Sequence, residues 1–178
     1  MQGIVSLLDG ADRERVEQLW EELRRDFGVC GIHSKRFPHF SYHVAEEYDL
    51  TRVQAIVRAL AAQTRSFPTQ CSGMGIFTRK EPVIYLPVVK TWELAVQHKQ
   101  ISEAVSSLST GINEYYAENI WIPHITIAEG DVDLLVLPEI VRRFGERNLR
   151  WELRANNFAV IRATEDVQEV CFRCDFRA

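Results

Sequence analysis

Residues 38–42 read Pro-His-Phe-Ser-Tyr, and residues 123–127 read Pro-His-Ile-Thr-Ile. Each is a proline, a histidine, an apolar residue, a hydroxyl and a further apolar residue, and the two lie 85 residues apart in a chain of 178. The chain holds only six prolines and five histidines, so coincidence produces such a pair at below about one in a thousand. In a strand, side chains at i and i+2 point to the same face, about 6.5–7 Å apart. Each stretch therefore offers an imidazole beside a hydroxyl, with Phe40 and Ile125 turned the other way.

Outward from these stretches the elements recur. Residues 3–8 read as a strand, and Asp9 is placed to cap a helix through Phe27 with Val16, Leu19, Trp20 and Leu23 on one face. A strand follows over 37–46, then a helix opened by Asp49 with Val53, Ile56, Val57 and Leu60 inward. Strands over 67–78 and 82–90 are separated at Lys80-Glu81-Pro82. The order then restarts, with a helix after Thr91 carrying Leu94, Ile101, Val105 and Leu108 on one side and a strand over 120–128. A helical stretch runs from Asp133 to Phe144 with Pro138 in its first turn or at a kink, and strands cover 150–163 and 167–177. The repeat predicts an α+β fold that is bilobal and duplicated: two pseudo-symmetric antiparallel sheets with flanking helices around a central cleft. One domain is expected over 1–178, with lobes near 1–88 and 89–178 and strands free to exchange between them.

Composition narrows the class. Hydrophobic residues make up 46% and charged residues 26%, which excludes a disordered tail, a collagen-like rod and a disulfide scaffold. No apolar run is long enough for a membrane span. The opening MQGIVSLLDG has no basic segment and reaches acid at Asp9, so no export signal and a cytoplasmic location are expected. Twenty-one basic against 25 acidic residues give a net charge of −4. That disfavours coating long duplex nucleic acid but leaves room for a small phosphorylated ligand in a local patch. The thiols Cys30, Cys71, Cys171 and Cys174 are expected reduced. Strand alternation predicts Cys171 and Cys174 on opposite faces, against a redox or metal role, with Cys174 packed in the core. Oligomeric state is not legible.

Two strands related by pseudo-symmetry would aim two imidazoles and two hydroxyls at one point. That set can clamp a phosphate: hydroxyls donate to its non-bridging oxygens while one imidazole takes a proton and the other gives one. Imidazole, with an ordinary pKa near 6.5, suits both roles, and no cofactor or metal is then required.

Two His-x-Ser/Thr motifs, one per half of a duplicated α+β chain, resemble those of the two-histidine (2H) phosphoesterase superfamily, nearest the 2′-5′ RNA ligase-like and cyclic phosphodiesterase group. The resemblance implies metal-independent phosphodiester chemistry, with His39 and His124 as the acid–base pair and Ser41 and Thr126 as phosphate-binding hydroxyls. Many members of that group carry an arginine shortly after the second motif, where this chain reads Ile127-Ala128-Glu129-Gly130-Asp131. A carboxylate there repels phosphate if it faces the cleft. His43, two residues after Ser41, is expected on the same face as a further substrate contact, and Arg79, Lys80, Lys35 and Arg36 are placed to steer an anion. Phe37, Phe77, Tyr85, Tyr115, Tyr116 and Trp121 include candidates to stack a base; His98 is expected packed and His33 solvated.

The expected activity is a metal-independent phosphodiesterase acting on a 2′,3′-cyclic phosphate or related phosphodiester at an RNA end or nucleotide, with 2′-5′ ligation as its reverse. The expected partner is a small nucleotide or RNA end, with no membrane. A binding module on the same scaffold is the alternative. A metal-dependent hydrolase built on His39, His43 and His124 is a third reading.

Overall fold

The computed structural model describes residues 1–32, 37–164 and 167–177, so the expectations placed on His33, Lys35 and Arg36 lie outside the described residues. In chain order the strands and helices are β1 (Gln2–Leu7), α1 (Gly10–Phe27), β2 (His39–Tyr48), α2 (Leu50–Gln63), β3 (Phe67–Ser72), β4 (Gly75–Phe77) and β5 (Val83–Pro87). Then come α3 (Trp92–Val105), β6 (Ser109–Ile112), β7 (His124–Ala128), α4 (Leu137–Gly145), β8 (Arg150–Ala155), β9 (Asn157–Ala163) and β10 (Gln168–Asp175).

The helices follow their apolar faces and caps. α1 buries Val16, Leu19, Trp20 and Leu23 and ends at Gly28, whose φ of 71° is the left-handed turn that glycine adopts without strain. The Asp49 carboxylate accepts the Arg52 N–H at the start of α2, and the Thr91 hydroxyl accepts the Leu94 N–H at the start of α3, each at 3.2 Å. Pro138 falls in the first turn of α4, where its missing N–H costs nothing. Asp9 differs from expectation. Its side chain makes no cap bond but accepts Arg173 from β10 at 2.6 and 2.7 Å and the Asn156 amide at 3.1 Å. Those bonds hold its carboxyl below the usual range and tie the chain's first turn to its last strand.

The fold is α+β with two antiparallel sheets, one large and one small. The large sheet runs β10-β9-β1-β2-β7-β5-β4, with β6 also on β2, and the small one is β3-β8. Two expected strands split to build them. Residues 67–78 break at Gly73 (φ 79°) into β3 and β4, and 150–163 break at Asn156 into β8 and β9. The first piece of each pairs with the other, and the second pieces join the large sheet on opposite sides of its central β2–β7 pair. Pairing also crosses the chain's midpoint: β9 lies on β1, β8 on β3, and β7 on β5.

Pseudo-symmetry appears as two ladders, β1–β2 and β5–β7, that meet at a Phe40–Ile125 pair. In the first, Leu7 faces His39 and Val5 faces Ser41; in the second, Pro87 faces His124 and Tyr85 faces Thr126. Both ladders then slip by one residue. Ile4 pairs with His43, leaving Tyr42 as an extra residue in β2, and Ile84 pairs with Ala128, leaving Ile127 extra in β7. One face of these ladders packs on α1, which covers β7, and on α3, which covers β2. Phe40, Tyr42, Ile125 and Ile127 are fully buried there among Val16, Leu23, Leu94 and Ile101. Each such side chain contributes about 1.5–3 kcal/mol by leaving water.

A further bulge corrects the cysteine reading. The β9–β10 ladder slips between Val170 and Phe172, so Cys171 and Cys174 both lie against the main core instead of on opposite faces. All four cysteines are free thiols. Among the described residues no helix is long and apolar enough to cross a membrane.

Candidate functional site

The strand pleat sets the site. Phe40 and Ile125 are cross-strand partners buried in the core, so their neighbours His39, Ser41, His124 and Thr126 share the opposite face, and all four are half-buried. Antiparallel register through that pair puts His39 across from Thr126 and Ser41 across from His124, with backbones about 5 Å apart. Each imidazole thus stands opposite the other motif's hydroxyl.

The prolines complete each motif. The Pro38 carbonyl accepts the Leu8 N–H at 2.9 Å and the Pro123 carbonyl accepts the Val88 N–H at 2.8 Å, pinning both strand entries alike. The carbonyl one residue earlier orients the ring. Nδ1 of His39 donates to the Phe37 carbonyl at 2.5 Å, and Nδ1 of His124 donates to the Ile122 carbonyl at 2.7 Å. A carbonyl only accepts, so Nδ1 carries the proton in both neutral rings and Nε2 is the basic nitrogen of each.

The surroundings of His124 are aromatic. Phe77 and Tyr85 stack on one another at 4.1 Å, and His124 meets both edge-to-face at 5.0 and 5.2 Å. A side chain at Gly75 would collide with the Tyr85 ring, so glycine there lets the ring lie flat over β4. Burial holds the His124 pKa below its ordinary value, opposed by its bond to Ile122 and by the Glu129 carboxylate.

Glu129 is the next residue on the shared face beyond the β7 bulge, and its charge acts on both His124 and Tyr116. It does not stand there as a bare anion: Arg79 Nη2 donates to it at 3.0 Å while Arg79 Nε holds the Glu81 carbonyl at 2.8 Å. The pair is solvent-exposed and adds little stability, but it offsets the carboxylate's repulsion of phosphate.

His43 corrects the sequence reading. The Tyr42 bulge reverses the alternation after Ser41, so His43 shares the core face with Ile4 and is 1% exposed. Its Nδ1 meets the Tyr48 hydroxyl at 2.6 Å, and burial pushes its pKa down to about 4. The triad His39, His43 and His124 therefore does not assemble, and no other cluster of three metal-ligating side chains occurs among the described residues. His98 is buried as expected, stacked on Trp121 at 3.9 Å.

Two features escaped the sequence. The Tyr116 hydroxyl lies beside the Ser41 side chain, and burial pushes the Tyr116 pKa up. Where the bulges interrupt the ladders, indole N–H groups donate to the carbonyls of the hydroxyl residues, Trp121 to Ser41 and Trp20 to Thr126. Tyr116 and Trp121 stood among the sequence's aromatic candidates, but no spacing ties either to Ser41.

An α+β fold with one His-x-Ser/Thr motif on each of two equivalent ladders is the layout of the two-histidine phosphoesterase superfamily. Residues 8–167 match the 2′-5′ RNA ligase superfamily, and the chain belongs to that family. Its fold is similar to TT0787 of Thermus thermophilus, at a TM-score of 0.66 and 16% identity over 99% of this chain and 97% of that one. It is also similar to E. coli LigT complexed with 3′-AMP, at 0.58 and 14% over 99% and 98% of the two chains. Usb1 of Kluyveromyces marxianus with uridine monophosphate aligns at 0.50 and 10% over 95% and 96%. No curated protein matches the sequence.

Proposed function

We propose that this protein is a metal-independent phosphodiesterase that opens 2′,3′-cyclic phosphates, or closely related phosphodiesters, at RNA or nucleotide ends. The observation that carries the reading is the pair of imidazoles on one face, each with its Nδ1 proton held by the carbonyl two residues back. Nε2 is then the basic nitrogen of each ring, on the strand face that also carries the Ser41 and Thr126 hydroxyls. His124, whose charged form burial disfavours, is assigned as the starting base.

In the forward direction Nε2 of His124 takes a proton from water as its oxygen attacks phosphorus. The bond from phosphorus to one ribose oxygen breaks, and protonated His39 gives its Nε2 proton to that departing oxygen. Ser41 and Thr126 donate to the non-bridging oxygens as charge builds on them. With the hydroxyl of a second RNA end in place of water, the same two proton transfers form a new phosphodiester as the bond from phosphorus to one ribose oxygen breaks, and so join the ends. The 3′-AMP bound to LigT and the uridine monophosphate with Usb1 support a small nucleotide as ligand.

The test is turnover of a panel of nucleoside 2′,3′-cyclic phosphates in excess EDTA, with the His39→Ala/His124→Ala double variant as control. Turnover by the natural protein alone supports the reading. Binding without turnover moves the protein to a non-catalytic nucleotide-binding module, and turnover abolished by EDTA overturns the metal-free mechanism.

A further inference from the structure

The two indoles behind the motifs form a cross-brace. The Trp121 N–H donates to the Ser41 carbonyl at 3.0 Å, and the Trp20 N–H donates to the Thr126 carbonyl at 3.2 Å. Both rings are almost fully buried, at 3% and 4% exposure. Each donates at the residue just before a bulge, where the ladder's own hydrogen bonds are interrupted and a buried carbonyl needs another donor.

The two tryptophans are not copies of one another. Trp20 sits inside α1, whereas Trp121 lies on the approach to β7. Each holds the motif of the other half. Trp20 precedes β2 in the chain but reaches β7, and Trp121 precedes β7 but reaches β2. The helices cross in the same sense, α1 over β7 and α3 over β2. This fold does not satisfy indoles indiscriminately: the buried Trp151 N–H has no acceptor among the described residues.

A peptide carbonyl fixed at the hydroxyl residue fixes the tilt of that peptide plane, and with it the direction in which the adjoining side chain leaves the strand. We propose that Trp20 and Trp121 are positioning residues whose indole–carbonyl bonds, exchanged between the two halves, set the spacing of the Ser41 and Thr126 hydroxyls across the reacting phosphate. The proposal rests on the two-histidine reading above. The two sides are not equally dependent on their brace. The Tyr116 hydroxyl also lies beside Ser41, and the Tyr116 carbonyl accepts the His98 Nε2 proton at 2.9 Å. His98 stacks on Trp121 itself, so the Ser41 brace has a second support. Loss of the Trp20 N–H is therefore the more damaging.

Phenylalanine at each position keeps an aromatic ring in the core and removes only the donor. Trp20→Phe is expected to lower kcat about 10-fold and Trp121→Phe about 3-fold, with KM nearly unchanged. The double variant is expected to lose less than the product of the two, because both bonds maintain one spacing. In the natural protein, labelled with 15N at tryptophan, a nucleoside 3′-monophosphate is expected to shift both indole N–H resonances. A purely structural role lowers the melting temperature and leaves kcat per folded molecule at the natural value, which overturns the proposal, as do indole resonances that ignore the nucleotide. His39→Ala in the same series separates the two failures. If His39→Ala is inactive while the phenylalanine variants are not, the brace fails alone; if His39→Ala is fully active, the two-histidine reading fails.

Discussion

The two halves of the site agree in their backbone and differ in their walls. Around His39 and Ser41 the shared face is largely aliphatic, with Val5, Leu7, Ala159 and Ile161 packed beside Phe37. Around His124 and Thr126 it is aromatic and charged, with Phe77, Tyr85, Glu129 and Arg79. Yet the proline carbonyl, the Nδ1 bond, the register and the bulge after the hydroxyl residue repeat in both. The duplicated parts are those that aim a proton carrier and a hydroxyl. The unlike parts are those a substrate meets beside its phosphate, so the difference separates chemistry from recognition.

The largest effect tests whether the halves are chemically equivalent. His39→Ala and His124→Ala are each expected to lower kcat/KM by about 1000-fold or more in steady-state assays, since each removes a proton carrier. A variant that keeps more than about a tenth of the activity would break the equivalence. Ser41→Ala and Thr126→Ala remove a hydrogen bond to developing charge, and about 10- to 100-fold is expected for each. Here Tyr116 sharpens the comparison: Tyr116→Phe is expected to cost a few-fold, through Ser41 alone, so its effect should vanish in a Ser41→Ala background.

Smaller effects probe the charged wall. Glu129→Gln removes a carboxylate that raises the His124 pKa, so the pH limb belonging to His124 is expected to move to lower pH. The last of these expectations concerns stability and leaves activity aside. His43 has its pKa pushed down to about 4, whereas the unfolded chain binds that proton near 6.5. Its neutral ring therefore contributes nothing unfavourable above about pH 6.5, and stability falls as pH drops from there towards 4, by about 3 kcal/mol over the window. Denaturant unfolding of His43→Asn across that range is expected to give a flatter slope. An unchanged slope would place the acid sensitivity elsewhere.

The histidine–hydroxyl pairs, the three longer helices and the α+β class were legible because each rests on local periodicity or on a repeated motif. Asp49 and Thr91 cap as their positions suggest. Asp9 does not, because Arg173 from the other end of the chain competes for its carboxylate. Alternation along 67–78 and 150–163 marks extended chain, but it carries no sign that each stretch divides between two sheets. Bulges defeat the same logic. One extra residue at Tyr42 sends His43 to the core, and one at Cys171 brings both cysteines of the Cys-x-x-Cys to one face. The Tyr116 contact and the Trp20 and Trp121 bonds arise between segments far apart in sequence, so no spacing records them.

The most direct test of two imidazoles sharing one proton transfer is kcat/KM against pH on a 2′,3′-cyclic nucleotide in EDTA, for the natural protein and for each histidine variant. A bell is expected, with the His124 limb below the ordinary imidazole value near 6.5, and each single variant should lose one limb along with most of its rate. A flat profile, or a bell that survives loss of either histidine, would contradict it.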